Sequence, residues 1–151
     1  MVLDQFSRWV VGWAIDRQNK ATLVNDALTM AASSRDTSPE TIRHSDDGSQ
    51  FTAWSFTQNL KHHDLLGSMG TVGDCFDNAP MESFWGSMQI ELLNRKKWMA
   101  YVELATAMAD YIVTFYNPLR RHSSIEYPTP DEFEALASEG KQAKILIAVG
   151  Q

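Results

Sequence analysis

TIRHSDDGS, Thr41 to Ser49, decides the fold. Thr41 to Ser45 reads as a short β-strand ended by the turn-forming run Asp46-Asp47-Gly48-Ser49. Asp46 is therefore expected at the strand's carboxyl end, where ligands bind in open α/β sheets. Thirty-five residues separate it from a second acid, Glu82. Asp77-Asn78-Ala79-Pro80 reads as a helix start, with a capping side chain and an early proline, and puts Glu82 in the first helical turn. At helical spacing Met81, Trp85, Met88 and Leu92 form one apolar stripe with Phe84 at its edge, and Glu82 falls about a quarter turn off it. Two acids held on rigid elements can share a hard cation through oxygen ligands.

Working outward, Val2–Phe6 and Trp9–Ile15 are β-rich runs separated by Ser7-Arg8, which suits a hairpin, and Gly12 points to a bulge or a close packing contact. Leu23, Val24, Ala27, Leu28 and Ala31 recur at helical spacing, so a helix covers one sheet face. Ser33–Glu40 is a polar linker. Trp54, Phe56 and Leu60 suggest a short helix capped by Thr52, with a strand near Leu65–Met69 behind it. Val102, Ala105, Met108, Ala109, Ile112, Phe115 and Tyr116 form a long apolar stripe, expected to be core, that stops near Asn117-Pro118. Thr129-Pro130-Asp131-Glu132 combines a capping box with a proline at the first helical position, and that helix is expected to end before Gly140.

The 151 residues, 44% of them hydrophobic, suffice for one domain with a real core. A single cysteine, Cys75, excludes an internal disulfide framework and fits a reducing compartment. No run has the length of a membrane span, and Asp4 and Arg8 stand where a signal peptide needs apolar residues, so a cytoplasmic protein without a membrane partner is expected. The net charge of −6 argues against a strong independent grip on phosphates, although −5 of it falls between His44 and Glu82, where bound cations would offset it. An acidic face kept for solubility is the competing reading. His62 and His63 are read as surface residues because an oxygen-loving metal is expected. His44, beside the acid-bearing turn, stays open between packing and function.

HSDDGSQF (44–51), SMGTVGDCFDNAPMESFWGSMQIELL (68–93), FYNPLRRHSSIEYPTPDEFE (115–134) and VLDQFSRWVVGWAI (2–15) together resemble the catalytic core of bacterial insertion-sequence transposases, relatives of retroviral integrases. The resemblance implies a ribonuclease-H-like fold, an α/β mixed sheet flanked by helices, with an Asp, Asp, Glu triad that binds two Mg2+ ions, or Mn2+. Asp46 matches the second acid and Glu82 the third. The first acid has no match. It belongs to a central first strand upstream of the hairpin, expected to be missing from this chain, while Asp4 belongs to the hairpin and reads as a turn or strand-end residue. The implied layout is a core over 1–137 and a carboxyl-terminal tail over 138–151. A sheet without its central strand leaves two unpaired edges; the run Lys144–Val149 is expected to be a disordered tail, the competing reading being that this β-prone stretch fills the position or pairs with another chain.

The implied function is DNA transposition by metal-dependent nicking and joining of strands, with transposon ends and target DNA as partners and activity lost in the absence of the first acid. The alternative is a noncatalytic module that forms homo-oligomers or pairs with full-length transposase. Arg95, Lys96 and Lys97, and Arg120, Arg121 and His122 in the FYN stretch, are the candidate DNA contacts. Three departures from the family stand out: Asp47 where relatives commonly have Arg, Gln89 where they often have Lys, and Glu126 where they usually have Gly.

Overall fold

The computed structural model describes residues 1–18, 21–35, 41–45, 54–69, 79–140 and 146–149. Val2–Asp4 (β1) and Val10–Gly12 (β2) form the expected hairpin, shorter than the apolar runs and with an irregular register between Val2 and Leu3. Its turn is fixed locally. Asp4 Oδ1 accepts from the Phe6 amide at 2.8 Å, the Arg8 amide donates to the Asp4 carbonyl at 2.9 Å, and Arg8 takes a positive φ of 65°. Ile42–Ser45 (β3) is the strand expected before Asp46, and Leu66–Met69 (β4) runs parallel to it.

A fifth strand, Leu146–Val149 (β5), lies between β1 and β3, giving the order β2, β1, β5, β3, β4. It pairs antiparallel with β1, Leu3 opposite Ala148, and parallel with β3, Arg43 opposite Ile147. The position expected to be vacant thus holds a strand from the carboxyl-terminal stretch. The physical need is plain: Val2, Leu3, Asp4 and Ser45 are fully buried, and unpaired main-chain groups there would cost about 1–3 kcal/mol each. One helix runs through residue 137, and the sheet's middle strand follows it.

Alternation along the hairpin builds the two layers. Val2 and Val11 face Ala21–Ser34 (α1) and Trp54–His62 (α2), packing with Val24, Leu28, Phe56 and Leu60. Leu3 and Val10 face the other way, onto Ala79–Glu91 (α3) and Tyr101–Asp110 (α4), with Met81, Phe84, Met88 and Ile112. Gly12 is required by the first layer: a Cβ there would stand 2.2 Å from the Ala27 carbonyl oxygen and 2.8 Å from the Ala31 amide nitrogen.

Two expectations need correction. The stripe after residue 100 is not wholly core: Val102 is 71% exposed and Phe115 39%, while Met108, Tyr111, Ile112 and Tyr116 are buried. Val102 lies at the margin of the stripe in regular α4; beyond it the face rotates through a π-helical turn over Tyr111–Tyr116, in which the Asn117 amide reaches back five residues to the Ile112 carbonyl. Phe84, at the edge of its helix's stripe, is buried all the same, edge-on to Tyr116 at 4.8 Å. The last helix, Pro130–Gly140 (α5), includes the glycine expected just beyond it, and its capping box is reciprocal: the Glu132 amide donates to Thr129 Oγ1 at 3.2 Å and the Thr129 amide to Glu132 Oε2 at 2.9 Å.

Candidate active site and nucleic-acid face

Three parallel strands end level with one another. Ser45 closes β3 opposite Met69 of β4 and Val149 of β5, so their carboxyl ends form one rim. Asp46 follows Ser45 in the chain and lies outside the described residues, as do Asp47 and Cys75. The strand leading to it is firmly held. Arg43 is buried with its guanidinium 4.1 Å from the centre of the Phe56 ring, and the Nδ1 atom of buried His44 lies 3.3 Å from Ser68 Oγ on β4. His44 therefore serves the β3–β4 pairing, whereas exposed His62 and half-exposed His63, at the end of α2, stack edge-to-face at 5.0 Å. No group of three or more His, Cys, Asp and Glu side chains among the described residues is arranged to hold a metal.

Glu82 is exposed in the first turn of α3, where the sequence places it. Its neighbours fix the helix: Met81, Phe84 and Met88 are buried, and α3 lies against β5. The other end of α3 is tied down by charge. Arg120 Nε donates to both Glu91 carboxylate oxygens at 3.0 and 3.1 Å, its Nη2 donates to Ser87 Oγ at 2.8 Å, and the Tyr111 hydroxyl donates to Glu91 Oε2 at 2.6 Å. Burial, then the neighbouring Glu91, raises the Tyr111 hydroxyl's pKa, so it stays a donor.

This anchor gives α3 a direction. Arg8, in the β1–β2 turn, is close enough for its charge to act on Tyr116 and His122, and His122 Nδ1 lies 3.4 Å from Arg120. Because β1 runs antiparallel to β5, that turn projects beyond the amino ends of β3 and β5, away from the rim. Glu91 thus sits toward the hairpin end, and Glu82 stands nine residues nearer the helix start, about 13 Å along its axis.

The candidate DNA contacts divide into two groups. Arg120 is engaged by Glu91. Lys96 is paired with Glu103 at 2.5 Å and lies 4.5 Å from the Trp98 ring centre. His122 has its pKa lowered to about 4 by burial and then by Arg120 and Arg8, so its ring is neutral at pH 7. Arg95, Lys97 and Arg121 are exposed.

Sequence reasoning missed two polar anchors. Asp4 is fully buried and pairs with Arg35 at 3.3 Å; Arg35 in turn forks onto both Glu134 oxygens at 2.6 and 3.2 Å, joining β1, the end of α1 and α5. Burial raises the Asp4 pKa and Arg35 opposes the rise. Asp4 is level with Arg43 and points to the hairpin end, which agrees with its reading as a strand-end residue. The second anchor is Asn117. Its Oδ1 accepts from the Val10 amide at 3.0 Å and its Nδ2 donates to the Val10 carbonyl at 3.2 Å, so the side-chain amide closes the outer edge of β2 as another strand would. The Asn-Pro pair was legible only as a helix stop.

Comparison with known proteins bears on the family. An integrase core domain matches residues 1–75, and a second integrase core domain description matches residues 55–130. The chain is 35% identical over 132 residues to the transposase for insertion sequence element IS904 of Lactococcus lactis, covering 87% of this chain and 52% of that protein. It is 36% identical over 134 residues to transposase InsF for insertion sequence IS3A of Escherichia coli, covering 89% of this chain and 46% of that protein. The chain spans about half the length of these curated relatives.

Proposed function

This chain belongs to the integrase core domain family, in the form carried by insertion-sequence transposases, and we propose that its site serves metal-dependent phosphoryl transfer on DNA, the nicking and joining of strands. Transposases act on DNA, and the family works with divalent cations; Mg2+, with Mn2+ as substitute, is the ion we assign. The observation that carries the reading is the level rim of β4, β3 and β5, with Asp46 next after β3 and exposed Glu82 near the start of a helix whose far end is anchored at the hairpin. An exposed carboxylate on a rigid first turn suits an oxygen-loving cation.

Asp46 and Glu82 would hold the metal, which when bound supplies activation of water or a DNA 3′-hydroxyl and stabilisation of the leaving oxygen. The protein's own contribution is placement. β3 is locked by Arg43 and His44, and α3 by Phe84 at one side and Arg120–Glu91 at its end, so Glu82 stands on a helix that cannot slide and Asp46 follows directly in sequence on a strand that cannot. Phosphate contact falls to Arg95, Lys97 and Arg121. Arg120, Lys96 and His122 act by holding the surface in shape.

β5 reads Leu146-Ile147-Ala148-Val149 and brings no carboxylate to the middle of the sheet. That observation favours a second reading, a noncatalytic module that associates with full-length transposase in the bacterial cytoplasm. A strand-transfer assay with the purified chain, labelled DNA ends and Mg2+ or Mn2+ tests the point. The expected result is weak metal binding without joining, and robust joining would refute the need for a third acid. Co-purification with intact transposase combined with no metal binding would select the second reading.

A further inference from the structure

The middle strand of the sheet is the last element of the described chain, and it follows α5 after only residues 141–145. Here β5 forms no hairpin with either neighbour, and it is inserted between β1, which is met at residue 2, and β3, which is met at residue 42. The slot it fills is preformed on both walls. β1 is held by β2 and by Asp4–Arg35, and β3 by β4 and by Arg43 on Phe56. We propose that the slot between β1 and β3 is a strand-acceptor site whose occupant is exchangeable, and that a second copy of this chain donates its own Leu146–Val149 there, parallel to β3.

The choice of donor follows from fit. A slot that accepts this strand in cis presents an identical strand from another copy with the same ladder on both sides, at the same register, so exchange loses no hydrogen bond. Only residues 141–145 separate α5 from β5, and short connections of this kind invite strand exchange. The inference is independent of the metal chemistry: it concerns strand pairing, is read by folding and size, and would survive failure of the phosphoryl-transfer reading.

The test uses the full chain carrying Ile147→Pro. Ile147 is paired on both sides, so its amide points to one neighbour or the other and proline must break a ladder bond. The Tm of this variant is expected to fall below that of the unaltered chain, and to rise saturably with a synthetic peptide of residues 144–151 but not with its scrambled form. Co-refolding the variant with the unaltered chain is expected to give a mixed dimer by light scattering. An unchanged Tm, no response to peptide, or peptide rescue without a mixed dimer at any concentration would each overturn the proposal. Should Ile147→Pro fail to fold even with peptide, Leu3→Cys/Ala148→Cys on a Cys75→Ser background decides it. Oxidation after concentrated refolding is expected to yield disulfide-linked dimers through that pair, and crosslinked monomers alone would refute the exchange.

Discussion

Replacing Asn117 with alanine removes the groups that close the edge of the sheet. Val10 is 1% exposed and Asn117 7%, so water cannot take over either hydrogen bond without opening the core. The substitution leaves one buried N–H and one buried C=O unpaired, and at roughly 1–3 kcal/mol per group the loss is about 2–6 kcal/mol. Against a domain stability of about 5–15 kcal/mol this is large. With a urea m-value of about 1–3 kcal/mol/M, the midpoint should fall by on the order of 1–2 M. Asn117→Asp keeps the acceptor for the Val10 amide but sets a buried charge against the Val10 carbonyl, so it should be at least as damaging. Leu119→Ala, two residues on and 64% exposed, should change stability by no more than about 0.5 kcal/mol and serves as the control. A loss within about 0.5 kcal/mol for Asn117→Ala, with the m-value unchanged, would refute the claim that this amide acts as a strand partner.

Glu126 adopts φ 66° and ψ 30°, the left-handed region, so Glu126→Gly should stabilise by about 1 kcal/mol, measured by thermal or urea unfolding; a loss would mean that the carboxylate makes a compensating contact. His122 is held neutral in the folded state, with its pKa near 4 against an ordinary 6.5. Between these values the unfolded chain binds the extra proton. Its contribution is therefore complete above pH 6.5 and declines as pH falls toward 4. Stability curves of the unaltered chain and His122→Gln should converge over that window as acid is added, whereas parallel curves would remove His122 as a source of the pH dependence. Asp4, with its raised pKa, works in the opposite direction, so only the difference between the two curves isolates His122.

The sequence carried the local structure well where local chemistry sets it. The Ser45 strand end, the first-turn position of Glu82, the hairpin and the Thr129–Glu132 capping box each rest on residues within a few positions of one another, and the structure has all four. What escaped depends on residues far apart in the chain. The bond from Asn117 to Val10 spans 107 positions, and Arg35 reaches 99 positions to Glu134. Neither pairing leaves a periodicity to read. The π turn at Tyr111–Tyr116 was invisible for another reason: a 3.6-residue pattern carries through it unbroken, while the backbone adds a residue and rotates the buried face. Lys144–Val149 was legible as β-prone, but a strand's place in a sheet is fixed by its partners, and those lie near residues 3 and 43. At the candidate site, the local setting put Glu82 in its helix's first turn, as the structure has it, while Asp46 lies outside the described residues.

The central claim is that Asp46 and Glu82 grasp the same cation. Titration of the isotopically labelled chain with Mn2+, followed through backbone amide resonances, tests it most directly, because paramagnetic broadening falls off steeply with distance from the ion. The account predicts that the amides flanking residues 46 and 82 broaden together at the lowest Mn2+ additions, and that Glu82→Gln weakens the effect at both. Broadening around only one of the two, or an unchanged pattern in Glu82→Gln, would contradict it.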